Sequence, residues 1–136
     1  MKDRVIIDTS VWISYFQNTT AGFSEQVDEL LSNSNIYVPK AVIAELIQGA
    51  YSKKEVNVIQ SFLEAFHIIG EGNDTWFKAG RLSYALKKKG KTVNLTDCYI
   101  AVIAKEHNCA IFTLDKHFKE IEKERGIKLI KPLVIS

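Results

Sequence analysis

The chain has 136 residues, 46% of them hydrophobic and 25% charged, with a net charge of +2 and a sequence pI of about 8.5. These values fit one soluble globular domain spanning residues 1–136, long enough for an ordinary core, and they exclude a disordered chain or a disulfide-stapled miniprotein. Apolar runs such as Val5-Ile6-Ile7 are short, far from the roughly 20 residues of a membrane helix, and the start of the chain lacks the apolar region and small-residue cleavage site of a signal peptide, so the cytosol is the expected compartment.

Strands and helices are predicted to alternate. Arg4–Ile7 is β-branched and apolar and reads as a buried strand. Helices are predicted over Ser10–Phe16 and Phe23–Ser32, then a short strand over Asn35–Val38 and helices over Lys40–Tyr51 and Lys54–Ala65. A strand at Phe66–Ile69 closes on Gly70-Glu71-Gly72. The long helix Asn73–Lys89 carries Trp76, Phe77, Gly80 and Tyr84 at helical spacing, which predicts core or subunit interface for Trp76 and Phe77. Thr96–His107 is apolar nearly all round and should be deeply buried. A strand at Ala110–Thr113, a charged helix at Asp115–Glu124 and a strand at Ile127–Ile130 complete the chain. Strands set between helices imply a three-layer α/β/α sandwich around a parallel sheet, in which ligands bind at the carboxyl ends of the strands.

The two cysteines, Cys98 and Cys109, have no CxxC partner and read as small reduced core residues; zinc would need more Cys and His at ligand spacing. Lys87, Lys88, Lys89 and Lys91 surround Gly90. One reading is a solvated, glycine-capped helix end where cations meet the dipole; the other is a contact to RNA phosphates.

The carboxyl-end rule singles out particular acids. Asp8 directly follows Val5-Ile6-Ile7, and Asp115 follows Ala110-Ile111-Phe112-Thr113-Leu114. Asp97 falls in the first turn of the buried helix, after Thr96. Each could simply cap or complement a helix. Glu45 lies on the flank of the stripe Val42, Ile43, Leu46, Ile47 and Ala50. Taken together, the acids point to one crevice. At about 5 Å and an effective dielectric of about 20, each carboxylate pair costs roughly 3 kcal/mol, so such a cluster requires a cation or a proton. Oxygen-only ligation selects Mg2+ or Mn2+, and that chemistry suits phosphodiester hydrolysis by a metal-activated water. Such a nucleophile does not require His67, His107 or His117: His67 reads as a sheet residue and His107 as a helix end. Trp12, like Trp76 and Phe77, is expected in core or interface rather than stacked on bases.

Asp8-Thr9-Ser10 after an apolar strand, Glu45 in an Ala-Glu-Leu helix, Asp97 before Cys98-Tyr99-Ile100-Ala101, and Thr113-Leu114-Asp115-Lys116-His117-Phe118 together resemble the PIN domain, nearest the toxins of VapBC toxin–antitoxin pairs. The resemblance covers nearly the whole chain. It implies the sandwich fold, Mg2+-dependent endoribonuclease activity, dimerisation and inhibition by a cognate antitoxin. By this likeness Asp8, Glu45, Asp97 and Asp115 are the catalytic, metal-holding acids, with Asp115 matching the most variable of the four. Ser10 and Thr113 match hydroxyl positions that support the acids, although local backbone bonding is an equally good account of both. Thr92–Thr96 departs from the polar pattern of many relatives. The competing readings are a non-catalytic RNA- or protein-binding module of the same fold and a phosphate-accepting receiver. A receiver would show paired acids after its first strand, where this chain has Asp8-Thr9-Ser10.

Overall fold

The computed structural model describes residues 2–17 and 23–133. Its elements run β1 (Arg4–Ile7), α1 (Thr9–Gln17), α2 (Phe23–Asn33), β2 (Asn35–Pro39), α3 (Lys40–Gln48), α4 (Lys53–Leu63), β3 (His67–Ile69), α5 (Thr75–Lys88), α6 (Leu95–Glu106), β4 (Ala110–Phe112), α7 (His117–Arg125) and β5 (Leu129–Ile130). The strands form one five-stranded sheet in the order β3-β2-β1-β4-β5, and every neighbouring pair is parallel. Helices α1 to α4 pack among themselves, as do α5, α6 and α7, giving the two outer layers of the expected sandwich.

The centre of the sheet shows why β1 is a continuous apolar run. Val5, Ile6 and Ile7 are all completely buried because helices cover both faces. Each such side chain contributes roughly 1.5–3 kcal/mol of burial. The register sets Ile7 opposite Phe112, so the residues that follow, Asp8 and Thr113, emerge side by side at the carboxyl edge. The chain leaves β1 toward β2 through the α1–α4 layer and leaves β4 toward β5 through α7 in the other layer. The gap between β1 and β4 is therefore the topological switch point, where open parallel sheets form a crevice.

Element ends shift for identifiable reasons. Helix α3 stops at Gln48, not Tyr51, because Gly49 caps it, its N–H reaching the Glu45 and Ile47 carbonyls. Helix α6 begins at Leu95 because Asn94 is its N-cap: Asn94 Oδ1 accepts from the backbone N–H of Thr96 at 2.7 Å. Its buried residues Cys98, Tyr99, Ile100, Ala101, Ile103 and Ala104 surround the helix, as its composition predicts. Cys98 and Cys109 are buried free thiols.

Helix α5 corrects one half of an expectation. Its core face is Thr75, Ala79, Leu82 and Leu86, while Trp76, Phe77 and Tyr84 are 45, 66 and 62% exposed. Ala79, Leu82 and Leu86 take the inward stripe at i, i+3 and i+7, so the aromatics fall on the outer flank. Trp76 stacks on Tyr99 at 4.4 Å, and its Nε1 donates to Glu71 at 3.1 Å. Trp12, by contrast, is fully buried among Tyr15, Phe16, Phe62 and Phe66.

The end of α5 has the glycine-capped form. Gly90 adopts φ 77°, Gly90 N–H donates to Lys87 O at 3.0 Å and Lys91 N–H to Leu86 O at 2.9 Å, a Schellman pattern. Two of the four lysines are occupied by α7: Lys89 pairs with Glu124 at 2.6 Å and Lys91 with Glu120 at 3.6 Å.

Candidate active site

Asp8 emerges from β1 at the switch point and is only 4% exposed. Its backbone N–H continues the sheet by donating to Phe112 O at 2.9 Å, which fixes the residue against β4. Its Oδ2 accepts two hydroxyl hydrogen bonds, from Ser10 at 2.8 Å and from Thr113 at 2.9 Å. Those hydroxyls also order the loop after β4. Thr113 Oγ1 accepts the Asp115 N–H at 2.9 Å, and Ser10 Oγ accepts the Leu114 N–H at 3.2 Å. One small network thus holds the ends of two parallel strands and the loop that presents Asp115.

Glu45 comes from the middle of α3, half-buried, on the flank of the helix stripe. The Thr9 hydroxyl donates to its Oε1 at 2.8 Å. Burial raises its pKa; Thr9 opposes that rise and the charge of Asp8 adds to it. Thr9 was not among the supporting residues expected from sequence. Three consecutive side chains, Asp8-Thr9-Ser10, each with a polar oxygen, were the signal for it.

Asp97 stands where the other acids converge. Its carboxyl is pushed up to about 7, first by burial, then by the charges of Asp8 and Asp115, a hydrogen bond with Asp115, and the charge of Glu45. Asp97 therefore lies within electrostatic reach of the other three sequence-selected acids, and its closest company is Asp115, with which it shares a hydrogen bond. Among the described residues no Lys or Arg forms an ion pair with any of them; the donors they meet are the hydroxyls of Thr9, Ser10 and Thr113 and, on Asp115, the backbone and ring of His117. Acids gathered without a Lys or Arg partner are a donor set suited to a divalent cation.

Asp115 does two things. Its Oδ1 accepts the backbone N–H of His117 at 2.9 Å, an i to i+2 turn that leads into α7, whose N-cap is Lys116, so Asp115 precedes the helix rather than starting it. The same oxygen lies 3.1 Å from His117 Nδ1. Asp97, Asp115 and His117 each offer one ligand atom, and all three atoms lie within 4.8 Å of one another. His117 thus belongs to the cluster, although metal-activated hydrolysis alone gave no reason to include it. The i, i+2 spacing from Asp115 across a helix start was the signal available. His67 and His107 lie elsewhere, near Tyr37, at 4.9 and 6.3 Å between ring centres.

Fold and site together define an all-parallel α/β domain with an acidic crevice, poor in cations, at its switch point. A family model described as the PIN domain matches residues 5–124, and the chain belongs to that family. Within it, the chain resembles the VapC ribonucleases. It is 30% identical over 128 residues to Ribonuclease VapC1 of Methanocaldococcus jannaschii, covering 94% of this chain and 88% of the relative. It is 27% identical over 123 residues to Ribonuclease VapC11 of Mycobacterium tuberculosis, covering 88% and 92%. The fold matches a chain in the structure of VapBC2 from Rickettsia felis bound to a promoter DNA fragment, with a TM-score of 0.75, 21% identity and coverage of 93% and 97%. It also matches a chain of a toxin–antitoxin complex from Klebsiella pneumoniae, with a TM-score of 0.74, 18% identity and coverage of 96% and 99%.

Proposed function

We propose that this chain is a Mg2+- or Mn2+-dependent endoribonuclease of the VapC type, the toxin of a type II toxin–antitoxin pair, working in the cytoplasm as one catalytic domain. The observation that carries the reading is that Asp97 feels the charges of Asp8, Glu45 and Asp115 while no Lys or Arg pairs with any of the four among the described residues. The names of its relatives as ribonucleases, and of its structural neighbours as toxin–antitoxin complexes, support the activity and an antitoxin partner.

In this reading Asp8 and Asp97 would hold the cation directly, while Glu45 and Asp115 would act through water or a second ion. A divalent cation here supplies an activated water and neutralises charge building on the phosphate and leaving oxygen. Ser10 and Thr113 keep Asp8 Oδ2 in place and leave Oδ1 for the cation. Thr9 fixes Glu45 Oε1, and the carboxylate, made more basic by burial, would take a proton on its other oxygen. Lys116, with Lys87 and Lys88, would position RNA by its phosphates, whereas Lys91 is paired with Glu120. Trp76 and Phe77, excluded from the core, are assigned to contact with a second copy in a homodimer.

Mapping of RNA cleavage by wild type and Asp8→Ala, with and without EDTA, tests the proposal. Cleavage that needs both the divalent ion and Asp8 is the expected result. RNA binding without cleavage by wild type in millimolar Mg2+ or Mn2+ would leave a non-catalytic module of the same fold.

A further inference from the structure

We infer that His117 is an inner-sphere ligand of the bound ion and sets its identity, giving the site one imidazole nitrogen among carboxylate oxygens and tilting it from Mg2+ toward Mn2+ and later first-row ions. The inference rests on the metallonuclease reading above and deepens it. Three features of the structure carry it. First, the donor atoms of Asp97, Asp115 and His117 are mutually within 4.8 Å. An octahedral ion with bonds of about 2.1 Å holds neighbouring ligands about 3.0 Å apart and opposite ones about 4.2 Å apart. The 3.1 Å from Asp115 Oδ1 to His117 Nδ1 is a hydrogen-bonding distance, so the imidazole binds the ion either in exchange for that Nδ1 proton or through Nε2.

Second, the backbone that carries the ring is fixed. The His117 backbone N–H is bonded to the same Asp115 oxygen at 2.9 Å, and the next residue, Phe118, is fully buried, so the start of α7 is pinned on both sides. Third, the His117 side chain is 59% exposed, so it can turn toward an ion without opening the core. Chemically, Mg2+ prefers oxygen and keeps its waters, whereas imidazole raises affinity along the series from Mn2+ upward. An all-carboxylate site lacks that discrimination.

The test uses the full chain loaded with Mn2+ and pulsed EPR, which detects a nitrogen nucleus bonded to the ion. Wild type should show a 14N coupling that becomes a 15N coupling when histidine is labelled. The coupling should vanish in His117→Gln. In competition titrations, the preference of the protein for Mn2+ over Mg2+ should fall about tenfold in that variant. Bound Mn2+ with no nitrogen coupling in wild type overturns the inference, as does a coupling that survives in His117→Gln; either result leaves the carboxylate site standing. If the Mn2+ signal instead remains that of the free ion in millimolar mixtures with wild type, the metal site itself is refuted, and this inference with it.

Discussion

The Thr113 hydroxyl donates to Asp8 Oδ2 at 2.9 Å, joining two residues 105 positions apart in sequence that stand next to each other at the ends of β1 and β4. The same oxygen of Thr113 accepts the Asp115 N–H, so one side chain sets the spacing between two of the acids.

Thr113→Val removes that link while keeping the side-chain volume. The Asp115 N–H and Asp8 Oδ2 each lose a partner in a largely buried place, which costs about 1–3 kcal/mol. At about 3–4 °C per kcal/mol for a chain of this size, thermal unfolding should show a clear drop in Tm. RNA cleavage should fall with it, because both acids lose their alignment. Unchanged Tm and cleavage would remove Thr113 from the account.

The pH dependence of stability follows from Asp97. Its carboxyl ordinarily titrates near 3.8 and is raised to about 7 in the folded chain, so the folded state holds this proton more tightly than the unfolded state. The resulting stabilisation is fully present at low pH and is lost as pH rises from about 4 through about 7. Glu45 is shifted in the same direction. In EDTA, Tm should therefore decline across that window, and Asp97→Asn should flatten the decline. Divalent ions bind the deprotonated acids, so Mg2+ or Mn2+ should stabilise wild type most at the upper end of the window. A pH profile identical in wild type and Asp97→Asn would contradict the clustering of the acids.

The basic segment divides into two pairs with different expected behaviour. Lys87 and Lys88 have no acidic partner among the described residues, whereas Lys89 and Lys91 are paired with Glu124 and Glu120. The segment leads through Asn94 into the helix that carries Asp97. Replacing Lys87 and Lys88 with alanine should weaken RNA binding and reduce the salt slope by about 1.4, two phosphate contacts on a single strand. Replacing Lys89 and Lys91 should alter RNA binding less and cost under about 1 kcal/mol of stability, as exposed pairs do. Fluorescence titrations at several salt concentrations separate the two.

Trp12 is the largest side chain buried completely, packed against Phe16 at 5.7 Å and Phe62 at 5.9 Å. Trp12→Ala should cost about 3–5 kcal/mol by cavity formation. Trp12→Phe should cost much less, because it also removes an indole N–H that has no hydrogen-bond partner among the described residues. Urea unfolding of the two variants checks the order.

Much of this architecture was legible in the chain. Val5-Ile6-Ile7 could only be a strand covered on both faces, and an acid directly after it had to lie at the carboxyl edge. The apolar circumference of α6 announced its burial. Other features depend on partners distant in sequence. The outward turn of Trp76 and Phe77 followed from Ala79, Leu82 and Leu86 taking the core face, a choice between two overlapping apolar stripes on one helix. The pairing of Lys89 and Lys91 needed α7 to lie alongside. Thr9 bonding to Glu45 and His117 meeting Asp97 are likewise side-chain encounters that residue spacing only hints at.

The account stands on the acids sharing a cation, and anomalous diffraction from crystals grown with Mn2+ measures that directly. A strong peak bonded to the Asp97 carboxylate and bridging toward Asp8 and Asp115, absent in crystals of Asp97→Asn, is the predicted result. Crystals of active wild type, saturated with Mn2+, that show no peak in the crevice between β1 and β4 would contradict it.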